Sequence, residues 1–499
     1  MLQYLKQEAN KTFTENGAAT LKTTQSDCLD LFATIGAIRR ESDEEIIARF
    51  IRAFAEDKDI AMKLLFFARD IRGGLGERKV FRVCLKWLSN NAPETVRKNL
   101  SYIAEYGRFD DLLVLFDTPV EKDMLDLIRD QLRKDIEAMN NNGEVSLLGK
   151  WLPSVNASNA NTIKAAKRIA RFLAMDDKGY RKMLARLRAY IRIIENNLRE
   201  KDYTFDYEKQ PSKAMFKYRA AFARNDAERY NTFLNRVSSG EAKFNASTLA
   251  PYELVEPYLT PYWYNGHHSF MKQITEEEKK SLNATWEALP NFGSEANALA
   301  IIDTSSSMYC AAKPLPAAVA LSLGIYFAEH NTGAFKNHFI EFSSNPELIE
   351  IKGDTFAEKL QYICSFNEIA DTNIEAVFDL VLNAAINSKL PQSELPANLI
   401  IISDMEFNAC VKNAGATNFN NAKAKFEAAG YKLPEVVFWN VASRNRQQPV
   451  TKNEQGVALV SGCTPRLFSQ VVDGSLVAMT PYEFMLDVLG GVRYEKIAA

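Results

Sequence analysis

The 499-residue sequence has little cysteine and histidine: six cysteines (Cys28, Cys84, Cys310, Cys364, Cys410, Cys463) and four histidines (His267, His268, His330, His338). The cysteines are scattered, with no C-x-x-C pair, which excludes a disulfide framework or zinc ribbon and points to a reducing compartment, the cytoplasm. The histidines show no metal-ligand spacing. Long hydrophobic runs are missing too. The longest nearly apolar stretch, Ala317 to Ala328, is well short of the ~20 residues that span a bilayer. The N-terminal MLQYLKQEANKTFTENGA lacks the apolar core of a secretory signal, so no membrane partner is expected. Neither sign of charge dominates: 61 Lys and Arg face 63 Asp and Glu, a net charge of −2.

What is present is ordinary globular composition, 46% hydrophobic and 25% charged, enough for two to four domains at roughly 100–200 residues each. The near-neutral total conceals an asymmetry. Residues 1–290 carry 46 basic and 41 acidic side chains, and residues 291–499 carry 15 and 22, as expected of two units with different partners. Residues 26–240 read as helix after helix. Ile46, Ile47, Phe50, Ile51 and Phe54 follow the helical spacing, and Thr162–Met175, Tyr180–Leu198 and Ala214–Val237 repeat it with basic outer faces. Such succession fits an α-solenoid or a ring of helix pairs, without a fixed period. Prolines at 251, 257, 261 and 290 punctuate residues 241–290, read as a hinge. From about 296, strand patterns at Ala298–Ile302, Phe339–Phe342, Leu348–Ile351, Leu399–Ile402, Val436–Val441 and Val457–Val460 alternate with helical patterns at Ala317–Glu329, Ile374–Leu390 and Asn421–Ala429. That alternation predicts βαβ units and a mainly parallel sheet. The expected division is a helical domain over 1–290, including the hinge, followed by an α/β domain over 291–499.

The strongest chemical signal starts where the first of these strands ends, at Asp303-Thr304-Ser305-Ser306-Ser307-Met308. Asp303, Ser305 and Ser307 place a carboxylate and two hydroxyls on alternate positions of one loop at the carboxyl end of a strand, where α/β sheets bind ligands. Hard oxygen donors of this kind suit Mg²⁺ or Mn²⁺. Asp371-Thr372-Asn373 precedes a helix and adds the Thr372 hydroxyl. Asp404, after the run Leu399–Ser403, adds a carboxylate acting through water. Glu406 reads as a solvated loop charge, with an extra metal ligand as the alternative. Taken alone, the D-x-S-x-S pattern also fits a capped strand-to-helix turn.

Together the three segments resemble the metal-ion-dependent adhesion site of von Willebrand factor A domains. The resemblance covers about residues 295–490 and implies that Asp303, Ser305, Ser307, Thr372 and Asp404 surround a divalent cation. It also implies an open position for an acidic side chain of a protein partner. The N-terminal half carries a second set of motifs: Phe66-Phe67-Ala68-Arg69-Asp70-Ile71-Arg72-Gly73-Gly74-Leu75-Gly76-Glu77-Arg78, Glu105–Asp111, Lys150–Ser154 and Pro251-Tyr252-Glu253. With Ser403–Phe407 these resemble an uncharacterised plant and microbial family related to the Ro autoantigen. The resemblance implies a HEAT-like, ring-forming helical-repeat (TROVE-like) domain followed by a von Willebrand A domain. Ro proteins bind small structured RNAs and single-stranded RNA ends, which makes RNA the implied partner.

Local charge fits such a partner. Residues 151–240 hold 19 basic and 9 acidic side chains, and a local positive field attracts phosphate even on a neutral chain. Lys164, Lys167, Arg168 and Arg171 lie on one helical face. Arg181, Lys182, Arg186, Arg188 and Arg192 follow on the next helix, with Phe172, Tyr180 and Tyr190 interleaved as possible stacking platforms. A solvated basic face with core aromatics is the plainer alternative. The glycine run 73–76 lacks the G-K-[ST] ending of a phosphate loop and reads as a helix–helix turn. Ser305 has no histidine or G-x-S-x-G context, and Cys310 reads as a packing residue, so no catalytic group is assigned. The sequence thus predicts a non-enzymatic, monomeric, cytoplasmic RNA-binding ribonucleoprotein component, with a metal-dependent protein scaffold as the alternative.

Overall fold

The computed structural model of the chain describes all residues except 247, 260–272, 293–296, 311, 343–344, 366–371 and 410–414. The expected positions His267, His268, Asp371 and Cys410 lie outside the described residues. Two compact units form. One comprises Met1–Leu64 with Ala246–Tyr494, the other Leu65–Asn245 with Glu495–Ala499.

The first unit is built on six strands: β3 (Ala298–Asp303), β4 (His338–Phe342), β5 (Glu347–Glu350), β6 (Asn398–Ser403), β7 (Glu435–Asn440) and β8 (Val457–Ser461), in the order β5-β4-β3-β6-β7-β8. All neighbours are parallel except β4 and β5. The register sets Ile301 beside Ile340 on one side and Ile401 on the other. Every residue of β3, β6 and β8 is buried. A parallel sheet covered on both faces requires such continuous apolar runs. The helix Pro316–His330 is buried from Pro316 to Ala328 and lies against β3. It approaches so closely that a Cβ on Gly324 would stand 2.0 Å from Ile302 Cδ1. The six strands fall where the apolar runs predict them, and the helices Ile374–Ser388 and Asn418–Ala428 match within three residues.

Residues 1–64 depart from the expected helical domain. They pack on the α/β unit because their amphipathic faces meet the carboxyl-end loops of β6, β7 and β8. A hairpin of β1 (Lys11–Phe13) and β2 (Ala19–Leu21) pairs at Leu21 with Gln448. Lys452 N donates to Thr24 O at 2.8 Å and Ser443 N to Ala37 O at 3.1 Å. Phe32 meets Phe484 edge-on at 6.3 Å. Gly36 lies so near the end of β8 that a Cβ would sit 2.7 Å from the backbone of Gly462 and of Ser461. Ser42 caps the helix Asp43–Glu56, from which Arg49, only 7% exposed, reaches Ser443 Oγ (3.3 Å) and Asn445 O (3.2 Å). From Ala246 on, the described part of the expected hinge is likewise folded into this unit: Trp286 stacks on Phe356 at 3.7 Å and donates to Glu329 at 2.8 Å.

The second unit is helical, with elements ranging from the four-residue Ile103–Tyr106 to the 20-residue Glu121–Asn140, so no fixed repeat length emerges. Two predicted helices are each broken in two. Arg192 adopts a left-handed φ of 54° and separates Asp177–Tyr190 from Ile194–Glu200. Asp226, non-helical at φ −145° and ψ 44°, separates Ser212–Asn225 from Ala227–Ser238 and accepts the Tyr207 hydroxyl at 2.8 Å.

Two consequences are measurable. Gly36→Ala forces backbone against backbone and lowers the stability of the α/β unit by about 1–3 kcal/mol, whereas Gly490→Ala, with open space around it, leaves urea unfolding unchanged. Glu45 is held well below the ordinary carboxylate range, at about 2, by hydrogen bonds from Arg446 and then Arg49. Its pairing therefore stabilises the fold fully above the unfolded value near 4.5, and that contribution disappears as pH falls toward 2. The difference in melting temperature between the wild type and Glu45→Gln should stay flat at neutral pH and shrink to zero under acid.

Candidate functional sites: an oxygen-lined crevice and a basic cavity

From β3 the chain crosses to β4 on one side, and from β6 it continues to β7 on the other. The crevice at the carboxyl ends of β3 and β6 is therefore a topological switch point. Asp303 ends β3 and Asp404 follows β6, so both carboxylates enter this crevice. Asp303 is fully buried and Asp404 is 3% exposed. Asp303 accepts the Ser305 N–H at 2.9 Å and the Ser403 hydroxyl. The Ser305 and Ser307 hydroxyls stand 3.1 Å apart. Asp404 accepts from Glu406 N at 3.2 Å and from Arg444 Nη2 at 3.1 Å. Burial raises the pKa of both acids. The charge of Asp404 raises Asp303 further, while Arg444 opposes the rise at Asp404.

Thr372, buried directly before the helix Ile374–Ser388, accepts the Asn16 amide at 3.4 Å on its hydroxyl and Asn408 N at 2.9 Å on its carbonyl. Asn16 links it to the Asp404 loop by donating to Glu406 O at 2.6 Å. The donor chemistry fits a hard divalent cation: two carboxylates taken out of water need positive charge, and hydroxyls are the natural oxygen partners. Among the described residues, no three His, Cys, Asp or Glu side chains cluster. An ion here would be held largely by hydroxyl and water oxygens.

Several participants carry no local sequence signal. Ser403 orients Asp303 and accepts Met405 N at 3.0 Å. Met405 sits at a left-handed φ of 68°, a conformation costing a non-glycine residue about 1–2 kcal/mol. Glu406 is not the solvated charge its loop position suggested. It is 1% exposed and accepts Glu15 N (2.7 Å), Asn445 (2.8 Å) and Gln447 (2.7 Å), because the N-terminal hairpin covers it. Cys310 is exposed rather than packed. The five described cysteines are all free.

The helical unit holds the basic residues, and they divide sharply. Arg168 is spent on Asp117 (2.7 Å) and Glu121, and Lys167 pairs with Asp177 at 3.2 Å. Arg188 is a scaffold group: it donates to Gly149 O, Ser154 Oγ and Leu152 O at 2.7–2.9 Å and so holds the Lys150–Ser154 motif. Lys164, Arg171, Arg181, Lys182 and Arg186 are exposed. The expected stacking platforms are structural. Tyr180 is buried with its hydroxyl on Pro153 O, Tyr190 bonds Gly143 O, and Phe172 lies under Arg129. A cavity of about 1,090 Å³ opens beside these helices, lined by Lys150, Arg181, Arg188, Arg192, Arg199 and Lys209 against Glu200, Asp202 and Asp206. Arg192, at the helix break, joins Arg181 in this cavity.

The motifs at 66–78, 105–111 and 150–154 converge on one network. Asp111, inaccessible to solvent, accepts Arg69 Nε at 2.7 Å and Arg82 Nε at 2.6 Å. Asp110 takes Arg108 and Arg82, and Arg108 lies over Trp151 at 4.0 Å. Gly107 leaves room for the pair, since a Cβ there would stand 2.4 Å from Asp111 Oδ2. The glycines at 73–76 form a turn between helices, with Gly76 at φ 72°.

Comparison with known proteins sets this architecture in a family. The chain belongs to the family defined by a domain of unknown function, DUF2828, which matches residues 14–127 and 122–291; a second domain of unknown function, DUF7788, matches 297–481. The uncharacterized protein L728 of Acanthamoeba polyphaga mimivirus is 30% identical over 521 residues, covering 96% of this chain and 87% of that protein. The crystal structure of the Deinococcus radiodurans RO (RSR) protein aligns over 94% of this chain and 100% of its own, with 11% identity and a TM-score of 0.37. Among the described residues, no helix is long and apolar enough to cross a membrane.

The buried network yields a direct test. Asp111→Ala strands two arginines, one of them fully buried, and should destabilise the helical unit by about 3–5 kcal/mol. Arg82→Lys, at a partly exposed position, should cost far less in chemical denaturation.

Proposed function

We propose that the chain is a non-enzymatic, Ro-like RNA-binding protein of the cytoplasm. In this reading the helical unit is HEAT-like and binds single-stranded or small structured RNA. The α/β unit is a von Willebrand A-type domain whose crevice takes Mg²⁺ or Mn²⁺ through Asp303, Ser305, Ser307, Thr372 and, by way of water, Asp404. The observation that carries it is the basic cavity. At about 1,090 Å³ it exceeds the ~300–1,000 Å³ of common small-ligand sites, which suits several nucleotides of an extended strand. Arg181 and Arg192 line it without an ion-pair partner among the described residues, so their charge is available to phosphate. The exposed Lys164, Arg171, Lys182 and Arg186 extend the positive field beyond it.

No residue is assigned to catalysis. A single cation ringed by hydroxyls, with two carboxylates already engaged by donors, offers no poised general base. The neutralisation of Arg168 and Lys167 by acidic neighbours favours a second reading, a metal-dependent protein scaffold.

The test is fluorescence anisotropy with a labelled oligouridylate over a salt series. Wild type should bind with salt-dependent affinity. Losing two single-strand phosphate contacts in Arg181→Ala/Arg192→Ala should flatten the slope of log K against log[salt] by about 1.4. Arg168→Ala should leave that slope unchanged. A wild-type chain that binds no RNA at low salt, but co-purifies with a chelator-sensitive protein, would establish the scaffold instead.

A further inference from the structure

The tip of the N-terminal hairpin touches the oxygen-lined crevice, and its contacts are of a particular kind. The turn Thr14–Gly17 is fastened to the loop after β6: Thr14 Oγ1 donates to Phe407 O at 2.6 Å, Glu15 N to Glu406 Oε2 at 2.7 Å, and Gly17 bridges Asn408. Yet the Glu15 and Asn16 side chains are exposed, so burial does not explain where they point. Asn16 donates its amide to the Thr372 hydroxyl. The Glu15 carboxylate holds Arg444 Nη1 at 3.0 Å, and the same guanidinium places Nη2 on Asp404 Oδ2 at 3.1 Å. Two of the five candidate cation ligands thus face donors that the turn supplies or steadies.

Donors and a cation compete for the same oxygens. A divalent ion at Asp404 repels the neighbouring guanidinium, and a hydroxyl turned toward the ion loses its geometry for Asn16. We propose that the Thr14–Gly17 turn is a latch in competition with the divalent cation: the closed turn weakens cation binding, and cation binding frees the turn. The coupling is reciprocal by thermodynamic necessity. Only the tip needs to move. The base of the hairpin stays fixed by the mutual Leu21–Gln448 bonds (3.0 and 2.8 Å) and by Thr20 Oγ1 on Gln448 O (2.8 Å). Opening would uncover the loop Met405–Asn408 beside the crevice. This inference rests on the cation reading of the crevice.

The experiment uses the full chain, Mn²⁺ titration calorimetry and hydrogen exchange. Saturating Mn²⁺ should speed exchange of the Glu15, Gly17 and Ala18 amides and leave Leu21 and Gln448 protected. Asn16→Ala, at an exposed position, should tighten Mn²⁺ by about fivefold or more, the lower end of usual allosteric couplings. Mn²⁺ binding with equal affinity to wild type and Asn16→Ala, together with unchanged exchange at the tip, overturns the latch while leaving the cation site standing. Absence of Mn²⁺ binding to wild type and Asn16→Ala removes the cation reading and the latch with it.

Discussion

The α/β unit depends on one long-range closure: hydrogen bonds between the first 64 residues and the carboxyl-end loops of β6, β7 and β8. The Ser461 hydroxyl donates to Phe32 O at 2.9 Å and accepts Gly36 N at 3.0 Å. Arg49 spans from its helix to the 443–445 loop. These contacts hold the loops that present Asp404, Glu406 and Arg444. Without them Glu406 would lose both its Glu15 donor and the hairpin that covers it, and the left-handed Met405 would lose the frame that sustains it. The crevice chemistry is therefore a property of residues far apart in the chain.

In the helical unit the corresponding constraint is Asp111. A carboxylate with no solvent contact is tolerated because Arg69 and Arg82 approach it from two helices and Gly107 makes space for them. The same economy governs the basic surface. Arg168, Lys167 and Arg188 have their charges answered within the fold, and what is left for a polyanion is gathered around the cavity where Arg192 breaks the helix. A tally of lysines and arginines overstates the available field, because a salt bridge to a neighbouring helix cancels a charge without changing composition.

The sequence discloses these features unevenly, for physical reasons. Strands buried on both faces must be apolar throughout, so β3, β6, β7 and β8 are visible as short hydrophobic runs. Asp303, Ser305 and Ser307 are visible because one loop carries them at alternating positions. Asn16 and Arg444 are invisible, since only the fold brings them to the crevice, and Ser403 shows as part of a motif but not as the partner of Asp303. Amphipathicity shows that Asp43–Glu56 has a face to bury but not what it packs against, so the sequence alone places residues 1–64 with the helical domain. Glu406 looks solvated because charge alone predicts exposure. The helix break at Arg192 gives no warning, having neither glycine nor proline.

The insertion of the helical unit between Leu64 and Ala246 has a consequence in time. Thr14 and Phe407 are 393 residues apart, and Phe32 and Ser461 are 429 apart. At roughly 5–20 residues per second of synthesis, the N-terminal hairpin and helices leave the ribosome on the order of 20–80 seconds before the strands they pack on. Throughout that interval an amphipathic segment has no partner, while the helical unit after it is free to fold. Leu65–Asn245 is thus complete long before the first 64 residues meet their partners, and those earliest residues wait longest for the surface that buries them.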